Sequence, residues 1–183
     1  MNYYERYYVE GLESEENSSA LMRILMNYCD SFSLVYFRYR ENEKQKRETV
    51  RIKKILSKYK INSKSVMEWP GTKQITNHMG HIYNLVTYRI ESDMSNVLPF
   101  MDEVGSMWNW DYPDYPMDPC FYKNGLAMFF LTCHEKLSTI YLRKNEGYPT
   151  ISELESIGLN LIFEGTVPES KIYSQNDGIN YFE

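Results

Sequence analysis

The run from Ser33 to Arg40, SLVYFRYR, sets β-branched and aromatic side chains at alternating positions, the pattern of a strand with two distinct faces. It is one of several such runs, which together call for a sheet. Tyr3 to Glu10 alternates loosely. His81 to Ile90 puts His81, Tyr83, Leu85, Thr87 and Arg89 on one side, with Ile82, Val86, Tyr88 and Ile90 leaning to the other. Gly125 to Cys133 and Ser138 to Leu142 are two strands joined by a tight turn around His134, Glu135 and Lys136. Ser65 to Trp69, stopped by Pro70-Gly71, and Leu159 to Glu164 complete the set.

Helical periods fall between the strands. Leu21, Ile24, Leu25 and Tyr28 form one apolar stripe on a helix capped by Ser18 or Ser19 and running to about Cys29. The charged run Glu41 to Lys60 is expected to be helical, with Ile52, Ile55, Leu56 and Tyr59 inward. Asn96 to Trp108 is expected to follow, with Pro99 in its first turn. Thr150 and Glu153 have the spacing of a capping box for a short helix ending at Gly158. Hairpins alternating with helices, no repeat and no linker over 183 residues predict a single α+β domain, 1–183. Its antiparallel or mixed sheet has helices packed on it, and residues 166–183 are expected to fray.

Hydrophobic residues make up 43% of the chain, enough for one core, and the 17 tyrosines suit strand faces or wet interfaces. No basic start precedes an apolar run, and the longest apolar stretch, Leu126 to Leu131, is far below the ~20 residues of a membrane span. Cys29, Cys120 and Cys133 are odd in number and lack a CxxC spacing, so the expectation is a soluble, cytoplasmic protein without disulfides. Charge is unevenly spread. Arg38 to Lys64 holds eleven basic residues against three acidic ones, while the whole chain carries −5. That segment is the only candidate for nucleic acid, which the overall acidity disfavours; it reads more simply as a solvated helix face.

The sequence contains no phosphate-cradling glycine loop, dinucleotide fingerprint, nucleophile elbow or H-E-x-x-H. No cofactor or metal is called for. His78 and His81 have a spacing that can serve a metal, but nothing supplies two further ligands, and they read as ordinary histidines. Cys133 and His134 are adjacent on a strand and point apart, so they do not form a nucleophile–base pair. The densest unusual stretch runs from Trp108 to Asp118, with Trp108, Trp110, two tyrosines and three aspartates on a segment stiffened by proline. Its rings either stack on something or close one end of the core.

Glu68-Trp69-Pro70-Gly71-Thr72, His81, the run Pro113 to Tyr122 and His134-Glu135 together resemble a group of small proteins of Bacillus and its relatives that carry the label "stage III sporulation protein AH". The likeness covers about Val66 to Leu142. Met117 stands where that group has a glutamate before Asp118, and Thr132-Cys133 replaces the residues before His134. The resemblance implies no activity: the septal protein of that name is anchored by a transmembrane helix, and no such apolar stretch occurs here. It implies a set of site residues: Trp69, Thr72, His81, Trp108, Asp118, His134 and Glu135.

The leading expectation is a non-catalytic binding protein that masks a protein partner, of an immunity or anti-defence kind. The acidic charge outside Arg38 to Lys64 and the Trp/Tyr/Asp loop motivate it. The alternative is a pocket for a nucleotide-like or other aromatic small molecule stacked on Trp69 or Trp108, with His81 and His134 as polar contacts. A further alternative is a hydrolase or transferase using His134 with Asp118 or Glu135.

Overall fold

The computed structural model describes residues 2–38, 47–73, 82–144 and 147–175. Tyr3–Glu10 (β1) leads into Glu15–Tyr28 (α1), then Ser31–Arg38 (β2) and Arg47–Ile55 (α2). Lys60–Val66 (β3) is followed by a small hairpin, Glu68–Trp69 (β4) and Thr72–Lys73 (β5), and by Ile82–Arg89 (β6). Leu98–Asp102 (α3) precedes Met117–Lys123 (β7), Leu126–Thr132 (β8) and Leu137–Leu142 (β9). Ile151–Ser156 (α4) and Asn160–Pro168 (β10) close the order. Eight strands form one sheet, β10-β1-β9-β8-β7-β2-β6-β3, with every pairing antiparallel. The fold is α+β, as the alternation of strand and helix periods predicts.

The register places one row of large side chains across nearly the whole sheet. Tyr88 of β6 faces Phe32 of β2, which faces Phe121 of β7, which faces Phe129 of β8. The row continues through Ile140 of β9 and Tyr7 of β1 to Phe163 of β10. Ring centroids along it lie 5.3 Å apart for Phe32–Tyr88, 5.5 Å for Phe32–Phe121 and 5.4 Å for Tyr7–Phe163. Directly opposed side chains are the unit that stabilises a sheet, and aromatic pairs are among the best. Leu21, Met22 and Leu25 of α1 join the same core. Val35 lies three residues after Phe32 and therefore faces the other way. It packs with Val66, Trp69, Leu85 and Met117 in a smaller cluster under the β4–β5 hairpin.

Several elements differ from the sequence expectation. The cap of α1 is Ser14, whose hydroxyl accepts from Asn17 N at 3.2 Å, not Ser18 or Ser19. Ser18 is buried inside the helix, donating to the Leu12 carbonyl and accepting from Met107 N. The helix expected over Asn96 to Trp108 is broken into single turns, though Pro99 does occupy the first turn of α3. The strand expected at Ser65 is instead the end of β3, an edge strand that starts at Lys60. β7 was not foreseen. Of the segment expected to fray from residue 166, the described part extends β10 to Pro168, buries Ile172 and bridges Ser174 to Leu126, and residues 176–183 lie outside the described part. Of the helix expected over Glu41 to Lys60, residues 41–46 lie outside the described part; beyond them Ile52, Leu56 and Tyr59 are buried as expected.

Candidate functional site

Of the residues singled out in the sequence, Trp69 and Asp118 meet, on a closed joint rather than a cleft. Trp69, at the turn of the β4–β5 hairpin, is 4% exposed and donates Nε1–H to Asp118 Oδ2 at 2.8 Å. The other carboxylate oxygen of Asp118 accepts the Cys133 backbone N–H at 2.8 Å. Asp118 N–H in turn donates to the Trp110 carbonyl at 3.3 Å. One buried carboxylate therefore ties the hairpin to the turn between β8 and β9 and to the aromatic loop.

The local sequence explains why an aspartate does this. Pro119 has no N–H to give to a ladder, and a proline inside a central strand requires a bulge. The β2–β7 register slips there, Ser33 facing Cys120 but Val35 facing Met117, and Asp118 takes a positive φ of 50° that aspartate tolerates. Ladder pairing of β7 to β8 begins only at Cys120 opposite Phe130, so the Asp118 side chain supplies the acceptor that the bulged backbone does not. Burial pushes its carboxyl above the usual carboxylate range, with the Cys133 and Trp69 donors and the nearby His134 pulling the other way.

The remaining candidates sit around this joint without completing a site. Trp110 is 1% exposed and packs in the core; Trp108 is half-buried against it. Thr72 pairs with Trp69 across the hairpin, and its hydroxyl and that of Thr132 are both buried without a hydrogen-bond partner. His134 and Glu135 are exposed, with Nε2 of His134 3.6 Å from Oε1 of Glu135. His78 and His81 lie outside the described residues. The arrangement does not favour a His134–Asp118 acid–base pair, because both Asp118 oxygens are already engaged by N–H donors. Cys29, Cys120 and Cys133 are buried free thiols, all pushed up by burial, the opposite of what a nucleophilic thiolate needs. Among the described residues no three His, Cys, Asp or Glu side chains gather as a metal site requires.

The basic residues of α2 and the turn after it have structural work. Arg51 pairs with Glu103 and lies 4.9 Å from the Phe100 ring centroid, and Lys58 pairs with Asp93. Lys53 sits over the Tyr36 ring at 5.6 Å. They hold α2 against the acidic segment between β6 and β7.

An open cavity of about 670 Å³ lies elsewhere, at the end of the sheet. Leu142 at the end of β9 and Glu5 of β1 line one side, and Tyr28, the last residue of α1, another. Tyr148, Pro149 and Ile151, leading into α4, face them, with Arg143 and Lys144 also lining it. The Tyr148 ring is held edge-on by Tyr4 at 6.0 Å, and Lys123 Nζ lies 5.6 Å from its centroid. Thr150 caps α4 by accepting Glu153 N at 3.1 Å. The Glu153 carboxylate does not return to Thr150 as a full capping box would; it accepts the Tyr28 hydroxyl at 2.9 Å and so fixes one wall. The sequence reading named Thr150 and Glu153 only as a helix start. The available signal was Tyr148-Pro149 beside Ile151, apolar groups in a turn where solvated ones are usual.

No family model matches this chain, and comparisons with curated proteins and with solved structures likewise found no match.

Proposed function

We propose that the chain is a cytosolic binding protein that holds a small organic molecule in the cavity between α1, β9 and α4. The observation that carries this reading is the cavity itself. At about 670 Å³ it falls within the ~300–1,000 Å³ typical of small-molecule sites, and it combines tyrosine and aliphatic walls with a few charged groups. Of the rings expected to stack on a ligand, Trp69 is consumed by the core and Trp108 is half-buried against it, so the reading places the site elsewhere. Three buried free thiols fit a reducing compartment, and among the described residues no helix is long and apolar enough to cross a membrane.

Thermal melting across a library of aromatic and aliphatic metabolites tests it. A ligand that binds only the folded state stabilises by about 2.7 kcal/mol at a hundredfold excess over Kd, or roughly 5–10 °C for a chain of this size. The rise should saturate and be reduced in Ile151→Trp, which narrows the cavity. A flat response across the library would count against the reading.

A second reading, masking of a protein partner, is supported by a separate observation. Tyr3, Ile162 and Phe163 are 55%, 44% and 56% exposed on β1 and on β10, which forms an outer edge of the sheet. Edges with exposed apolar side chains invite strand addition. Affinity capture from the native host with wild type and Phe163→Glu separates the two: a partner retained by the first and lost by the second favours masking.

A further inference from the structure

We propose that the molecule held between α1, β9 and α4 is a flat apolar or aromatic body bearing one acidic group, with that group seated at Arg143 and Lys144. The inference rests on the cavity being a ligand site and adds the chemistry of what fills it.

The argument is a count of donors and acceptors around the walls. Among the described residues one carboxylate, Glu5, lines the cavity, and Glu153 stands behind the Tyr28 wall. Glu5 accepts the Tyr7 hydroxyl at 2.8 Å on one oxygen and lies 3.2 Å from Lys144 Nζ with the other. The Tyr7 bond leads the effects that hold Glu5 below the usual carboxylate range. Glu153 accepts the Tyr28 hydroxyl. A cationic ligand at Glu5 would compete with Lys144 and the Tyr7 hydroxyl for its two oxygens. Donors, by contrast, are in surplus. Arg143 has five N–H groups and gives one to Asn2 Oδ1 at 3.3 Å, its guanidinium lying 5.2 Å from the Tyr4 ring centroid. Lys144 has three N–H groups and its side chain is 85% exposed, so it turns toward an anion at little cost. Lys123 adds a third positive charge behind the Tyr148 ring and spends one donor on the Tyr28 carbonyl. In a chain of net charge −5, this is a place where an anion finds cations with unspent donors.

The shape supplies the other half. Tyr28 and Tyr148 present rings, and Leu142, Pro149 and Ile151 present aliphatic surface, so the body of the ligand is apolar. The two charges at one end then set its orientation. Carboxylate and sulfonate share the required chemistry.

Two dyes with nearly the same body and different charge test this. 8-Anilinonaphthalene-1-sulfonate carries one anion, and N-phenyl-1-naphthylamine is its neutral counterpart. Fluorescence titration of the wild-type chain should show the sulfonate binding about tenfold more tightly. Arg143→Gln and Lys144→Gln should each weaken the sulfonate by about fivefold, the worth of one charge-assisted contact at a partly exposed site. The neutral dye should change by less than twofold. Methyl resonances of Ile151 and Leu142 should shift on addition of either dye, which reports the location without relying on a cavity-filling variant. Equal affinity for the two dyes, or charge variants that leave the sulfonate unmoved, overturns the acidic-group inference while the ligand cavity stands. Failure of both dyes to shift the Ile151 and Leu142 methyls overturns the cavity reading beneath it.

Discussion

Asp118 concentrates several unfavourable features at one position: a carboxylate 2% exposed, a positive φ and a place in a bulged strand. They persist because the two oxygens satisfy two buried N–H donors that nothing else reaches. Asp118→Ala leaves both orphaned, at about 1–3 kcal/mol each, and puts alanine in a left-handed backbone at about 1 kcal/mol more. A loss of about 3–7 kcal/mol in urea unfolding is the expected result. Asp118→Asn keeps the shape and one acceptor and should lose roughly half as much. The pH dependence has a defined sign. Burial raises the folded-state pKa, so between the unfolded value and the raised one the native state binds more protons. The stability of wild type relative to the non-titrating Asp118→Asn should therefore be greatest in acid and fall as pH rises through that window. Parallel pH profiles for the two proteins would remove Asp118 titration from the account. Trp69 and Asp118 stood together in the sequence only as members of the set that the resemblance implies. Their bond to each other was not legible, since whether a tryptophan faces a ligand or an aspartate depends on the bulge at Pro119.

At the scale of elements, the sequence was most readable where one face was buried and the other wet. The stripe Leu21, Leu25 and Tyr28 of α1 and the start of α4 at Thr150 carry that contrast, while the β8–β9 hairpin, buried along nearly all of β8, was readable from its continuous apolar run and the turn after it. β3 was hidden because Lys-Ile-Asn-Ser-Lys-Ser-Val at an exposed edge buries almost nothing until Val66. β7 was hidden for the opposite reason: it is buried on both faces, so it has no alternation, and it contains a proline and a residue at positive φ. The β4–β5 hairpin shows a sequence signal with a further cause. Pro70-Gly71 marks a turn, and Gly71 has φ +85°, but its lack of a side chain also lets the turn approach β8. A Cβ there would come within 2.5 Å of Thr132 Oγ1 and 2.8 Å of the Phe130 ring. Gly125, at φ +78°, meets nothing within 4 Å. Both glycines replaced by alanine incur backbone strain of about 1–2 kcal/mol, and only Gly71→Ala adds overpacking of about 1–3 kcal/mol. Chemical denaturation should separate the two variants by at least about 1 kcal/mol. Equal losses would mean that the hairpin does not rest on β8.

At the scale of the whole molecule, the sheet is closed by its termini. β1 lies between β9 and β10, so the row of large side chains runs from β6 to β10 only once strands far apart in the chain meet. Burial falls off toward the end of that row. Phe32, Phe121 and Phe129 are 0% exposed, Tyr7 is 7% exposed, and Phe163 on the outer strand is 56% exposed. The same residue type in the same row should therefore differ in worth by position alone. Phe121→Ala removes a ring enclosed by neighbours on both sides and is expected to lose about 3–5 kcal/mol. Phe163→Ala removes a ring that touches Tyr7 on one side and solvent on the other, with an expected loss of under about 1 kcal/mol. Guanidinium unfolding of both variants, with unchanged m values as the check that the denatured states are comparable, measures that gradient. If Phe163→Ala loses as much as Phe121→Ala, then β10 is not an outer edge in solution. Something, a second copy or a partner, already covers it, and the masking reading gains at the expense of a free-standing sheet.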